Sequence, residues 1–495
     1  MNRACISLTL ATGMILGAPH GYANDQTAPK NTRPQLTASE AAAYSYREVL
    51  KYKGQAGHEI TDPWDPLADS IVDGAPAKPD YVVDASAKTN GTSIFNTVQA
   101  AVARAVVDGN ALAKSSGKSR RLVILVKPGT YHELVYVPAT ATPITLFGGS
   151  AEARDTVISA NLDAAISGED YTRMFGAQFA QAEPAIAAMY VAVKSKPMVE
   201  TVGTPIVWIK GDGFQAKNIT FENAYNKEHG DAREECPPGG CAARIINGTP
   251  QVIHHQAVAL MVDGADRVQF ENTRFIGYQD TLFLKSSADG VTVRTFFDRS
   301  YIEGDVDFIF GDTTAYFYRS EIRSLGDRST SYMAAPSTNY QTRYGFVFDS
   351  CRFTSDGSAN ALKGKFYLAR QWFHSQRCTP YAPVTIPQPV EGYACNVGTG
   401  NSYLAPSGTI SKQVLETVGK TVILHSSIGA HINREHPWSN WNNRGTLPYR
   451  PVQYDSNDYW DNLIAVHIDP VAVLGYGAKK EPVEHFLAEF DNTQE

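Results

Sequence analysis

Two aspartates in this chain sit where acids are costly. Asp307 lies in Tyr301-Ile-Glu-Gly-Asp-Val-Asp-Phe-Ile-Phe-Gly311, between Val306 and Phe308-Ile309-Phe310, and Asp280 lies in Gly277-Tyr-Gln-Asp-Thr-Leu-Phe283. A carboxylate among apolar neighbours needs a partner or a raised pKa. Arg370, in Phe366-Tyr-Leu-Ala-Arg-Gln-Trp372, is the candidate partner, since its fork can hold a carboxylate through two hydrogen bonds. Two acids in unlike surroundings can divide their work, one charged and one protonated. Such a pair suits ester hydrolysis with an aspartate nucleophile, or glycosidic hydrolysis. The structural alternative is that both acids satisfy turn amides while Arg370 closes a buried ion pair. Gln256, in His254-His-Gln-Ala-Val-Ala-Leu260, and Gln279 add uncharged amides that can face a developing oxyanion or cap a turn. Trp372, Phe310 and Phe283 offer flat apolar surface to sugar rings, although isolated aromatics more often belong to a core.

Competing chemistries lack their motifs. There is no G-x-S-x-G elbow, no H-E-x-x-H pair and no G-x-x-x-x-G-K-[ST] loop. His425, His431 and His436 form at most a loose metal cluster, and hydrogen-bonded histidines are the plainer reading. Adjacent His254 and His255 point to opposite sides of a strand, which disfavours joint ligation. Lys+Arg 44 against Asp+Glu 51 leaves no basic excess, so no nucleic-acid partner is expected.

The elements that must position these residues show a loose repeat. Phe221, Phe270, Phe297, Phe317 and Phe348 each open a short apolar-polar-apolar unit, at intervals of 49, 27, 20 and 31 residues. Short strands recurring at 20 to 31 residues indicate stacked coils, with the 49-residue gap read as two coils. The expected fold is all-β: a single-stranded right-handed parallel β-helix with long loop insertions and short flanking helices. A β-sandwich also needs many short strands but gives no reason for the repeated unit. Asp280 and Asp307 are 27 residues apart, the same interval as Phe270 to Phe297, so coils in register would stack the two acids on one face.

Three regions are expected within the 495 residues. Residues 1–23 have a basic start, an apolar run too short for a membrane span and small residues before Asn24, as in a removable secretory signal. Residues 24–81 form an N-terminal extension, and 82–495 the β-helix domain, with no transmembrane segment. Export makes disulfides Cys236–Cys241 and Cys378–Cys395 the expected pairs, leaving Cys351 as a buried free thiol.

Together these segments resemble the pectinesterase family. The resemblance runs through Ile94-Phe-Asn-Thr-Val-Gln-Ala-Ala101, Pro128-Gly-Thr-Tyr131, Gly213 to Phe221, His255 to Leu260, Gly277 to Phe283, Asp307 to Gly311 and Leu368 to Trp372. It implies a right-handed parallel β-helix acting on methyl-esterified polygalacturonate or its oligomers, without metal or cofactor. It implies Asp307 as nucleophile, Asp280 as acid/base, Gln256 and Gln279 as oxyanion donors and Arg370 as holder of the nucleophile. Trp372 and Phe310 resemble aromatics that line the sugar site; Phe283 stands where many members have tyrosine, and Ala369 where glycine is common. Insertions near 157–203 and 374–419 resemble a larger bacterial, envelope-associated branch, parts of which are thioesterase-like. A monomer, secreted or periplasmic, is expected. An esterase or thioesterase for another acyl group, or a non-catalytic sugar-binding protein, are the alternatives.

Overall fold

In the computed structural model the chain winds through three parallel sheets, turning once through all three per coil. The structure describes residues 31–69, 71, 73–76, 78–139, 142–225, 245–246, 249–250, 255–372, 402–405, 408–444, 447–465 and 469–495. Residues Thr32–Glu495 form one compact unit. The first sheet holds eight strands: β1 (Val135–Val137), β2 (Val207–Ile209), β3 (Leu260–Asp263), β4 (Leu282–Lys285), β5 (Val306–Gly311), β6 (Tyr332–Pro336), β7 (Tyr367–Arg370) and β8 (Trp438–Ser439). Among the described residues the second and third sheets hold eleven and nine strands. One coil runs from β3 through Val268–Glu271 and Arg274–Ile276 and returns as β4, paired in parallel with β3. This is the right-handed parallel β-helix that the spacing implied.

Alternation along each strand fills the interior. Leu260, Val262, Leu282, Leu284 and Ile309 are fully buried in the core, while Met261, Asp263, Phe283, Lys285 and Phe310 alternate to the outer face. In the second sheet Phe270, Phe297, Phe317 and Phe348 stand in register, with successive ring centroids 5.0, 4.5 and 4.4 Å apart. Phe221 does not join this ladder. It pairs with Phe275 in the third sheet, and Ala216 holds the ladder position. The 49-residue gap is therefore one coil, not two, because Gln215–Lys217 pairs directly with Val268–Glu271. Its extra length falls between Asn223 and Leu260.

The polar part of the repeat is the corner between the second and third sheets. Asn218, Asn272, Arg299, Arg319, Ser350, His425 and Asp491 take φ of +46° to +58° there, one per coil. The left-handed residue turns the chain sharply, and the next residue points inward. Those inward residues hydrogen-bond up the stack: Thr273 and Ser300 hydroxyls lie 2.9 Å apart, and the Ser300 N–H donates to Ser320 Oγ at 3.1 Å. Further along, the Cys351 N–H donates to Ser426 Oγ at 3.0 Å. Cys351 thus occupies a hydroxyl position in the ladder, as a buried free thiol pushed by burial up to about 12. The four cysteines of the two expected disulfides lie outside the described residues.

Helices close the exposed surfaces. Glu133 accepts the first two N–H groups of α1 (Val98–Ser116), whose apolar face covers the first coils. The pair α2 (Gly168–Phe179) and α3 (Pro184–Lys194) covers β1 from outside: Tyr136 stacks on Phe179 at 5.2 Å and its hydroxyl meets that of Tyr171 at 2.6 Å. Leu36, Val49, Leu50 and Trp64 cover Phe296, Tyr316 and Val347 on the second sheet. Fully buried Arg294 fastens this segment through Asp62 and Asp266 and the Leu50 carbonyl. Among the described residues no helix is long and apolar enough to cross a membrane.

Candidate active site

The site lies where the third sheet turns into the first. Leu282 pairs with Ile309, so the 27-residue offset puts Asp280 and Asp307 at equivalent points of consecutive coils. The Asp280 N–H donates to the Val306 carbonyl at 3.1 Å, joining the two turns. Both aspartates adopt left-handed backbone, with φ +65° at Asp280 and +52° at Asp307. Asp tolerates this region better than most residues, and such strain persists where the surroundings over-determine it. Gly304 is required beside them: a Cβ there would stand 2.5 Å from the Tyr278 carbonyl and 2.2 Å from Phe308 Cβ. The turn can therefore close only with glycine.

Arg370 reaches back from the end of β7 and grips Asp307 with both prongs, Nε to Oδ1 at 2.7 Å and Nη2 to Oδ2 at 2.5 Å. Both groups are buried, at 7% exposure each. The guanidinium also lies between two aromatic faces, 4.0 Å from the Tyr332 ring centroid and 4.6 Å from that of Trp441. This packing holds the fork in one plane. Burial alone would lower the Arg370 pKa, but the Asp307 charge and hydrogen bonds carry it above the ordinary arginine value.

Asp280 is equally buried, at 8% exposure, but its surroundings act the other way. Burial, then the Asp307 charge, push its carboxyl well above the usual range; Arg370 and Arg328 oppose that rise without cancelling it. The two acids are thus unlike: Asp307 is locked in an ion pair, and Asp280 keeps its proton to higher pH than an ordinary carboxyl. A neutral acid beside a paired carboxylate can donate a proton while its neighbour attacks.

Gln279 immediately precedes Asp280, and its side-chain oxygen accepts from Arg328 Nη2 at 2.8 Å. Its main-chain carbonyl accepts from the Ala257 N–H at 3.1 Å, which brings Gln256 alongside on the preceding coil. Gln256 is half-buried there, its carbonyl accepting from Ala164 at 2.9 Å. Asp163 of that same loop bonds His255 Nδ1 at 2.8 Å, so His255 is an anchored side chain beside Gln256. The aromatic trio assembles next to the acids, but mainly on itself. Phe283 and Phe310 stack at 4.2 Å and keep 4% and 3% exposure, while Trp372 meets both edge-on and stays half-buried. Trp372 is the member with surface left for a ligand.

Asp305, Arg328, Tyr332 and Trp441 were not anticipated from sequence. Asp305 carried a faint signal, alternating with Asp307 in Gly304-Asp-Val-Asp307; Arg328, in the polar turn Gly326-Asp-Arg-Ser-Thr-Ser331, carried none.

Fold and site together describe a parallel β-helix protein with a buried, asymmetric carboxylate pair on its first sheet. The family model for Pectinesterase matches residues 245–382. A pectinesterase of Ralstonia solanacearum is 32% identical over 438 residues, covering 87% of this chain and 91% of that protein. The rice weevil pectin methyl esterase structure superposes with a TM-score of 0.61 at 25% identity, covering 95% of this chain and 99% of that one. YbhC of Escherichia coli, provisionally named an acyl-CoA thioester hydrolase, is 30% identical over 380 residues, 73% of this chain and 79% of its own. Its structure gives a TM-score of 0.63 at 25% identity, covering 95% of this chain and 97% of that one. The chain belongs to the pectinesterase family, and so to the pectinesterase-type hydrolases.

Proposed function

We propose that this protein hydrolyses galacturonate methyl esters in pectin or oligogalacturonides, releasing methanol. The observation that carries the reading is the asymmetric pair: Asp307 gripped by Arg370, one coil from a buried Asp280 whose pKa is raised. Asp307 attacks the ester carbonyl, and the carbonyl electrons move onto oxygen, where the amides of Gln279 and Gln256 donate. When the tetrahedral adduct collapses, the bond between the acyl carbon and the methoxy oxygen breaks and Asp280 gives its proton to the departing methoxide. Asp280, now a carboxylate, takes a proton from water as that water attacks the acyl-enzyme. Collapse breaks the bond between the acyl carbon and Asp307, freeing the Asp307 carboxylate and a galacturonic acid that ionises in solvent, and the proton taken from water restores Asp280.

A second reading is an esterase or thioesterase for another acyl group, favoured by the likeness to YbhC. It also bears on the placement in an envelope-associated branch, which rests on the insertions near 157–203 and 374–419. One substrate panel decides between them. Methanol release from methylated polygalacturonate is expected to exceed hydrolysis of acetylated sugars and acyl thioesters. Preferential thioester cleavage would transfer the assignment to the second reading.

Residues 1–23 are read as a removable signal, which would place the mature chain in the periplasm or medium. The motive is the short apolar run after a basic start. The exported protein should begin near Asn24, and an intact Met1 in the soluble cell fraction would end this reading.

A further inference from the structure

We infer that Arg328 is a positioning residue of the ester-cleaving site, holding the Gln279 amide with its NH2 turned toward the reacting carbonyl. The inference rests on the proposed ester hydrolysis. Its basis is a chain of contacts beneath the site. Asp305, fully buried, accepts the Val306 N–H at 2.7 Å with Oδ1 and faces Arg328 Nε with Oδ2 at 3.1 Å. Arg328 Nη2 then donates to Gln279 Oε1 at 2.8 Å.

A guanidinium has only donors, so it fixes which end of the amide it meets. With the oxygen held by Arg328, the Gln279 NH2 must point away, and an oxyanion needs that donor. Without the arginine the amide can rotate by half a turn and present its oxygen to the developing negative charge. Asp305 in turn keeps the guanidinium in place, and its bond to Val306 ties the chain of contacts to the residue before Asp307. The nucleophile turn and the amide donor are thus set by one buried carboxylate.

The same cation also acts on Asp280. The charged groups that face Asp280 are Asp307, Arg370, Arg328 and Asp305. Removing Arg328 takes away a cation and uncovers Asp305, and both changes favour the protonated acid. The alkaline fall in kcat, set by loss of the Asp280 proton, should therefore move to higher pH.

The test uses Arg328→Ala and Arg328→Lys in the full-length enzyme, with methylated polygalacturonate and an activated aryl ester as substrates. Arg328→Ala should lower kcat about 10- to 100-fold, part of the loss expected for an oxyanion donor, with KM within about twofold because the group acts in the transition state. Its alkaline limb should shift upward. Arg328→Lys keeps the charge, so its limb should stay in place while kcat falls less.

A double-mutant cycle with Gln279→Ala separates positioning from general loosening. Neither Arg328 variant should slow cleavage of the aryl ester further once Gln279 is alanine. If Arg328→Ala does not fold, the cycle with Arg328→Lys decides the same point. An unchanged kcat in a folded Arg328→Ala variant, or losses that add fully in the Gln279→Ala background, would overturn the inference. A wild-type enzyme inactive on both substrates would instead remove the ester-hydrolase reading.

Discussion

Asp307→Asn is expected to leave a folded protein that releases essentially no methanol. The change is nearly isosteric, and asparagine tolerates the left-handed φ of +52° found at this position. An amide is not a competent nucleophile here, so the covalent route closes. Loss of a catalytic nucleophile typically costs on the order of 100,000-fold or more in kcat. Some stability should go as well, because Arg370 keeps its place but loses the opposite charge at 2.5 and 2.7 Å. Breaking a buried ion pair costs roughly 3–5 kcal/mol. The loss should fall below that range, since the asparagine oxygen can still accept one prong and the Tyr332 and Trp441 faces still hold the guanidinium. Methanol assays and thermal melting on one preparation separate the two effects. Release near the wild-type rate would remove Asp307 as nucleophile.

Much of the positioning behind that result could be read before any coordinates, because a β-helix turns sequence intervals into spatial neighbours. The 27 residues between Asp280 and Asp307 equal the 27 between Phe270 and Phe297, and both pairs fall in register. The link from Arg370 to Asp307 followed from the cost of burying an unpaired acid. What failed was whatever depends on loops. The interval from Phe221 to Phe270 was read as two coils because a long excursion inside one coil has the same length. Phe221 itself sits in a different sheet from the ladder it was matched with. Several left-handed corners were hidden because Arg299 and Arg319, unlike Asn218 and Asn272, are not types that favour turns or left-handed backbone. Arg328 was invisible for a related reason. Its partners Asp305 and Gln279 are 23 and 49 residues away, and a lone arginine in a polar turn looks like solvated surface.

Asp280→Asn should lose most turnover while keeping substrate affinity, and the form of the loss identifies its role. Asp280 is buried beside Asp307, and those two influences, burial first, hold its carboxyl well above the ordinary range. Holding its proton to higher pH than an ordinary carboxyl suits it to supply a proton to methoxide, a leaving group too basic to depart unaided. Removing a general acid of this kind costs about 100- to 10,000-fold. The fold should survive, since asparagine also accepts the backbone φ of +65° and the N–H still reaches the Val306 carbonyl. An activated aryl ester needs no proton on its leaving group, so the variant should acylate at a rate much closer to wild type. Water must still attack the acyl-enzyme without a base, and that step stays slow. Rapid mixing should consequently show a burst of aryl alcohol followed by weak turnover, while methyl ester gives neither. The pH profile should follow the same logic. In the wild type, acylation by methyl ester falls as pH rises through the Asp280 pKa, because the acid is then spent. In the variant, the burst with aryl ester should lose that alkaline limb altogether. Equal impairment of acylation with both esters would mean that Asp280 is not the acid. The buried carboxyl would then serve only to shape the turn around Asp307, and methoxide would have to take its proton from another group.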